Sequence, residues 1–155
     1  MHVRALAVCT TMPSRVAEGV AEYQKRLPRE WRFEWVELAV GHRSKSQDVS
    51  RAIESEGNAM LAAIHSQEQV IALDVKGKMR STHDLSIETS RWQMSGQDTA
   101  ILIGGPDGIS PACLTRANQR WSLSALTLPH PLVRIVLVEQ LYRSWSLLNN
   151  HPYHK

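Results

Sequence analysis

The chain has 155 residues, 43% of them hydrophobic and 21% charged, with a net charge of +3. That is enough for one domain around a single core, and the composition excludes a disordered or low-complexity protein. The basic excess is compatible with a polyanionic partner without requiring one.

Cys9 and Cys113 are solitary, each in an apolar setting, and lack the spacing of a disulfide framework or a zinc site, so buried free thiols in a reducing compartment are expected. No apolar run approaches the roughly 18 residues of a membrane span. The N-terminus also lacks a signal-peptide core, so a soluble, cytoplasmic protein with no membrane partner is expected.

Residues 3–9 read as a buried strand, followed by turn and cap signals at residues 11–14 and a helix to about Leu27. Val16, Val20, Tyr23 and Leu27 fall on its inner face, with Arg15, Glu18, Glu22 and Arg26 outside and Pro28 as a stop. Residues 31–39 alternate as a second strand, with Phe33, Trp35 or Val36, and Leu38 inward according to register. The basic loop 41–46 is either solvated or a phosphate contact through Arg43 and Lys45. Asp48 then starts a helix carrying Val49, Ile53, Met60, Leu61 and Ile64.

Residues 70–75 form a third strand with Asp74 near its end, and Lys76-Gly77-Lys78 reads as a turn. A helix from Ser81 or Thr82 to Met94 is closed by Gly96. Residues 99–103 are a fourth strand, and Ser110-Pro111 opens a short helix ending near Asn118. A fifth strand follows Trp121, drawn from the alternation of Leu123, Ala125 or Leu126, and Leu128. The last helix, 131–149, is apolar over more than one face, which calls for cover by the sheet and by a partner subunit, or for a central position in a monomer. The alternation of strands and helices predicts a single α/β domain over residues 1–155, with a mainly parallel sheet flanked by helices.

Two strand ends carry the chemistry. Residues 101–103 break into Gly104-Gly105-Pro106-Asp107-Gly108, and the run to Leu128 breaks at Pro129-His130-Pro131. Glycines after a strand let backbone groups face a ligand, and ligands collect beyond strand C-termini in open α/β sheets. The same glycine stretch also suits a plain tight turn. It is neither a Walker loop nor a dinucleotide fingerprint, and it lacks the lysine a phosphate binder would need.

The stretches Leu102-Ile103-Gly104-Gly105-Pro106-Asp107-Gly108, Trp121-Ser122-Leu123-Ser124-Ala125-Leu126-Thr127-Leu128-Pro129-His130-Pro131 and Asn150-His151-Pro152-Tyr153-His154 together resemble the ribosomal large subunit pseudouridine methyltransferases of the SPOUT class. The likeness extends over essentially the whole chain, including Met12-Pro13 and Glu22-Tyr23. It implies a SPOUT-type α/β knot with a C-terminal trefoil, against the usual avoidance of threaded loops. It also implies a homodimer, S-adenosylmethionine as methyl donor, and methylation of ring nitrogen three of a pseudouridine in large-subunit (23S) ribosomal RNA within the ribosome.

On that resemblance the cofactor pocket comprises Leu73, Gly104, Gly105, Leu123, Ser124, Ala125, Leu126, Thr127 and Leu128. The acceptor nitrogen must lose a proton, so a base or a nearby positive charge is needed. His130 is the base candidate, with helix capping as its plain alternative. Arg143, Tyr153 and His154 are the substrate-handling candidates, against a simple Arg143–Glu139 pair and an ordered tail. No metal is expected, because the seven histidines show no ligand spacing. A non-catalytic ribosome-binding or assembly factor on the same fold is the alternative, separated from an enzyme by whether the pocket binds the donor.

Overall fold

The computed structural model describes residues 1–45 and 48–155. Its strands are β1 (Val3–Val8), β2 (Glu34–Leu38), β3 (Gln69–Met79), β4 (Thr99–Ile103) and β5 (Gln119–Ser122), and its helices are α1 (Ser14–Gln24), α2 (Val49–Ala63), α3 (Thr82–Ser95), α4 (Pro111–Arg116) and α5 (His130–Leu148). The strands form one parallel sheet in the order β2-β1-β4-β3-β5. Strands β1 and β4 are buried throughout because both faces of the sheet are covered.

Side chains alternate across the sheet, so odd and even positions feed two different cores. Ala5, Ala7, Ile71 and Ile101 face α1, α3 and α5, where Trp31, Trp92, Trp121, Leu137 and Leu141 complete the packing. Leu6, Val70, Ala100 and Leu102 face α2 and α4, meeting Met60 and Cys113. Cys113 is buried, with its thiol donating to the Gly57 carbonyl at 3.4 Å and its acidity lowered by burial. Cys9 is only half-buried, contrary to the sequence expectation, because it lies just past the end of β1.

The local signals that worked are caps. Ser81 accepts from the Asp84 amide while the Asp84 carboxylate accepts from the Ser81 amide, a reciprocal box that fixes the start of α3. Gly96 ends that helix at φ 67°, and Asp48 and Ser110 cap α2 and α4.

Three expectations need correction, and for α5, whose cover the sequence leaves open between a partner and the rest of the chain, part of the cover is found. Trp31 is in a 3₁₀ turn, and β2 begins only at Glu34, because Pro28 sets up the turn and Arg32 takes a left-handed φ of 42°. Lys76-Gly77-Lys78 is not a turn: β3 runs on to Met79, with a bulge between Leu73 and Lys78 opposite Trp121. Residues 123–128 are a loop rather than the strand expected there. The Ser124 hydroxyl accepts from the Leu126 amide at 2.9 Å, the Ser122 hydroxyl donates to the Ser124 carbonyl, and Leu126 is 75% exposed. Finally, α5 is flanked by α1 and α3 above the sheet, so neighbours within the chain cover much of its apolar circumference. Leu132 and Leu148 stay exposed at its two ends.

Gly77 allows β5 to approach the bulge: a Cβ there would lie 2.7 Å from the backbone of Arg120 and Trp121. Gly77→Ala is expected to lower stability by about 1–3 kcal/mol, measured by urea unfolding. A variant as stable as the wild type would show that the bulge relaxes freely.

Candidate active site

All five strands point the same way, so their C-terminal ends open on one edge, and a cleft of about 690 Å³ lies there. Leu73 and Asp74 from β3, the glycine turn after β4, and Leu123, Ser124, Leu126, Leu128, Pro129 and His130 from the last connection line it. Of the expected pocket residues, Leu73, Gly104, Gly105, Leu123, Ser124, Leu126 and Leu128 are therefore brought together. Ala125 and Thr127 are exposed and lie outside the lining. Cys9 is on the wall, which its sequence setting did not reveal.

Residues 105–108 form a tight turn, with the Gly108 amide donating to the Gly105 carbonyl at 3.1 Å and Pro106 at the second position, so the turn reading and the pocket reading both hold. A Cβ on Gly104 would lie 2.7 Å from the Gly108 carbonyl carbon, and one on Gly105 would lie 2.9 Å from Glu56 Oε1. The turn is thus folded against itself and against a carboxylate on α2.

That carboxylate is 96% buried (Glu56, 4% exposed) and holds the basic loop. It accepts from the Gly41 amide at 2.9 Å and from Arg43 Nη1 at 2.7 Å, while Arg43 Nε donates to Asp107 on the glycine turn at 2.8 Å. The phosphate contact expected of Arg43 is corrected accordingly, because its guanidinium fork is committed to two carboxylates. Lys45 is exposed.

His130 sits on the opposite wall. Its Nε2 accepts from Arg134 Nε at 2.8 Å, which leaves the remaining ring N–H facing the Gly104 carbonyl. Burial and the Arg134 charge push its pKa below the ordinary histidine value. A base needs a free lone pair, and this one is already used.

Arg143, Tyr153 and His154 lie elsewhere. From residue 130 to residue 143 of one helix is about 20 Å at the standard rise. Glu139 is the hub of this second cluster: its Oε1 accepts from Tyr153 Oη at 3.0 Å and from Arg143 Nε at 2.8 Å. Sequence reading had Glu139 only as a partner for Arg143, since nothing local shows that the tail folds back. The Tyr153 ring packs 4.6 Å from Tyr142 with the guanidinium of Arg143 4.9 Å from its centre, and Arg26 approaches from the turn that follows α1. The tail is held by a 3₁₀ turn, Pro152–His154, in which His151 Nδ1 accepts from the Tyr153 amide. His154 follows Tyr153 in that turn and has a buried Nδ1 with no hydrogen-bond partner among the described residues.

The family model for predicted SPOUT methyltransferases matches residues 1–154. The chain belongs to this family. Relatives named ribosomal RNA large subunit methyltransferase H are 59% identical in Chromohalobacter salexigens, 56% in Saccharophagus degradans and 52% in a Marinomonas species, each over 100% of both chains. Among solved structures, a probable methyltransferase from Bordetella pertussis Tohama I superposes with a TM-score of 0.60 at 13% identity, covering 92% of this chain and 93% of that one. A probable methylase family protein from Haemophilus influenzae Rd KW20 gives 0.57 at 13% identity, covering 97% and 67%. These two likenesses establish the fold. The chain is therefore a methyltransferase of the SPOUT class, whose members generally use S-adenosylmethionine.

The second cluster makes its own prediction. Burial first, and then the hydrogen bond to Glu139, push the Tyr153 phenol up to about 12. The fold thus favours the neutral phenol, and this contribution to stability is present below the unfolded value of about 10 and lost as pH rises through the folded one. In an alkaline titration followed by phenolate absorbance, Tyr153→Phe should remove a component titrating near 12. Retention of that component would place Tyr153 in solvent.

Proposed function

We propose that the single domain 1–155 is an S-adenosylmethionine-dependent methyltransferase acting on nitrogen three of a pseudouridine in large-subunit ribosomal RNA, as a homodimer on the assembled ribosome. The observation that carries this reading is the charge of the cleft. Its lining holds Asp74 and Asp107, the latter paired with Arg43 from behind the turn, but no Lys or Arg among the described residues, and its other walls are mostly apolar side chains with the neutral polar groups of Thr10, Ser122, Ser124 and His130. A phosphate ligand would be disfavoured there, whereas a cationic sulfonium with an apolar nucleoside body is suited. The names of the full-length relatives support the RNA substrate.

When bound, the donor supplies an electrophilic methyl group. The chain's own tasks are to wall the donor with Leu73, Leu123, Leu126 and Leu128, to keep the glycine turn against it, and to align the acceptor nitrogen. For transfer to occur, the chain would have to hold the acceptor nitrogen's lone pair in line with that methyl group, whose sulfide would be the leaving group, and take up the imide proton. Glu139 is the anionic acceptor in the tail cluster; its Oε1 is taken by Arg143 and Tyr153, and the proton is assigned to the lone pair of Oε2 that the Gln140 amide does not use. Arg143 and the Tyr153 ring hold the base beside it, with His154.

The 20 Å between cleft and tail cluster along α5 prevents both from serving one nitrogen within one chain. A second copy that presents its tail cluster to this cleft would join them, which gives the homodimer a chemical purpose. In this reading the last connection also closes the C-terminal trefoil of the SPOUT fold.

Labelled methyl transfer to ribosomes lacking the modification, with the product nucleotide identified by mass spectrometry, should show one methyl on a large-subunit pseudouridine. Tyr153→Ala should cut transfer at least tenfold while leaving S-adenosylmethionine affinity unchanged. Donor binding without transfer to any ribosomal RNA would refute the substrate assignment, and full transfer by Tyr153→Ala would refute the tail's part in it.

A further inference from the structure

A chain of hydrogen bonds with a fixed direction runs from the outer edge of the sheet to His130, which lines the cleft together with Gly104. It starts on edge strand β2, at Glu37, whose side chain is 58% exposed and does not line the cleft. Both Glu37 carboxylate oxygens accept from the terminal nitrogens of Arg134, one at 2.6 Å. Arg134 is 4% exposed, an unusual setting for arginine, and its guanidinium lies 4.7 Å from the centre of the Trp35 ring. Its Nε also donates, reaching His130 Nε2 at 2.8 Å.

A guanidinium donates only, and it keeps its charge throughout the useful pH range. His130 Nε2 must therefore be an acceptor, the ring is neutral, and its one proton sits on Nδ1, within the cleft that Gly104 also lines. Protonation of Nε2 would set an N–H against the Arg134 Nε–H.

We propose that Glu37 and Arg134 are positioning residues of the methyl-transfer site, which fix the His130 tautomer and through it the Gly104 wall against which the donor lies. The link to the donor rests on the functional reading above, but the link from Glu37 to Gly104 does not. It is a different device from the Arg43–Glu56 hold on the other side of the turn, because it specifies where one proton resides. Arg134 acts through His130, and Glu37 acts through Arg134, which it keeps extended across the edge of the sheet.

The test uses two variants of the full chain. Glu37→Gln changes a side chain exposed enough to be tolerated, yet it can no longer accept both guanidinium nitrogens. Arg134→Lys keeps the charge but lacks a fork that can hold Glu37 and His130 at once. Nitrogen NMR of the donor-free wild type should show His130 neutral with its proton on Nδ1. Both variants should mix the tautomers and move the Gly104 and Gly105 amide signals. With S-adenosylmethionine titrated in, both should bind several-fold more weakly, with the change in KM for the donor larger than that in kcat.

A proton on Nε2 in the wild type would overturn the proposal. So would Glu37→Gln with unmoved His130, Gly104 and Gly105 signals, or moved signals with unchanged donor affinity. If the wild type bound no S-adenosylmethionine, the reading of the cleft would fail, and the tautomer and glycine signals alone would decide whether Glu37 controls the wall.

Discussion

The position of one tight turn governs this molecule. Gly104 to Gly108 must lie where neither Gly104 nor Gly105 can carry a Cβ, pressed against its own far side and against the buried carboxylate of Glu56. Such a close approach is held from two directions by charges from distant parts of the sequence. On one side Glu56 and Arg43 tie the loop after β2 to Asp107. On the other, Glu37 and Arg134 bring His130 to face the Gly104 carbonyl. The parallel sheet makes this possible because every strand delivers its C-terminal end to the same edge.

Signals that act within a few residues could be read from the sequence. Strand β4 was placed to the residue by its apolar run, and α3 to within about a residue at each end by its start at Ser81 or Thr82 and the glycine at its close. Where the decisive partner is remote, the sequence misled. Lys76-Gly77-Lys78 has turn composition, yet β5 pairs with it and needs the glycine for closeness rather than for bending. Leu123 to Leu128 misled for a local reason instead: they alternate like a strand, but the Ser122 and Ser124 hydroxyls bond backbone two residues on, and Leu123, Leu126 and Leu128 line a cleft rather than a sheet face.

The same division runs through the site. Leu73 and the two glycines were found because resemblance and strand-end logic agreed on them. Glu56 and Glu37 were not singled out, since a carboxylate on a helix or an edge strand reads as a solvated charge until its cation arrives from elsewhere, and Glu139 was named only as the pair of Arg143 because its second partner, Tyr153, comes from the tail. His130 was singled out for the wrong reason: its place in the cleft is as expected, but its lone pair is taken by Arg134. The tail's aromatic cluster at the far end of α5 explains why Arg143 and Tyr153 could be chosen together, and also why they cannot meet the cleft of their own chain.

The central claim is that the cleft selects a cationic adenosyl donor over a phosphorylated nucleotide of similar size. Calorimetric titration of the isolated protein with S-adenosylmethionine, and separately with ATP, tests it most directly. The account predicts saturable binding of S-adenosylmethionine and none of ATP, because two carboxylates and no Lys or Arg among the described residues line the site. Binding of ATP in preference to S-adenosylmethionine would contradict it.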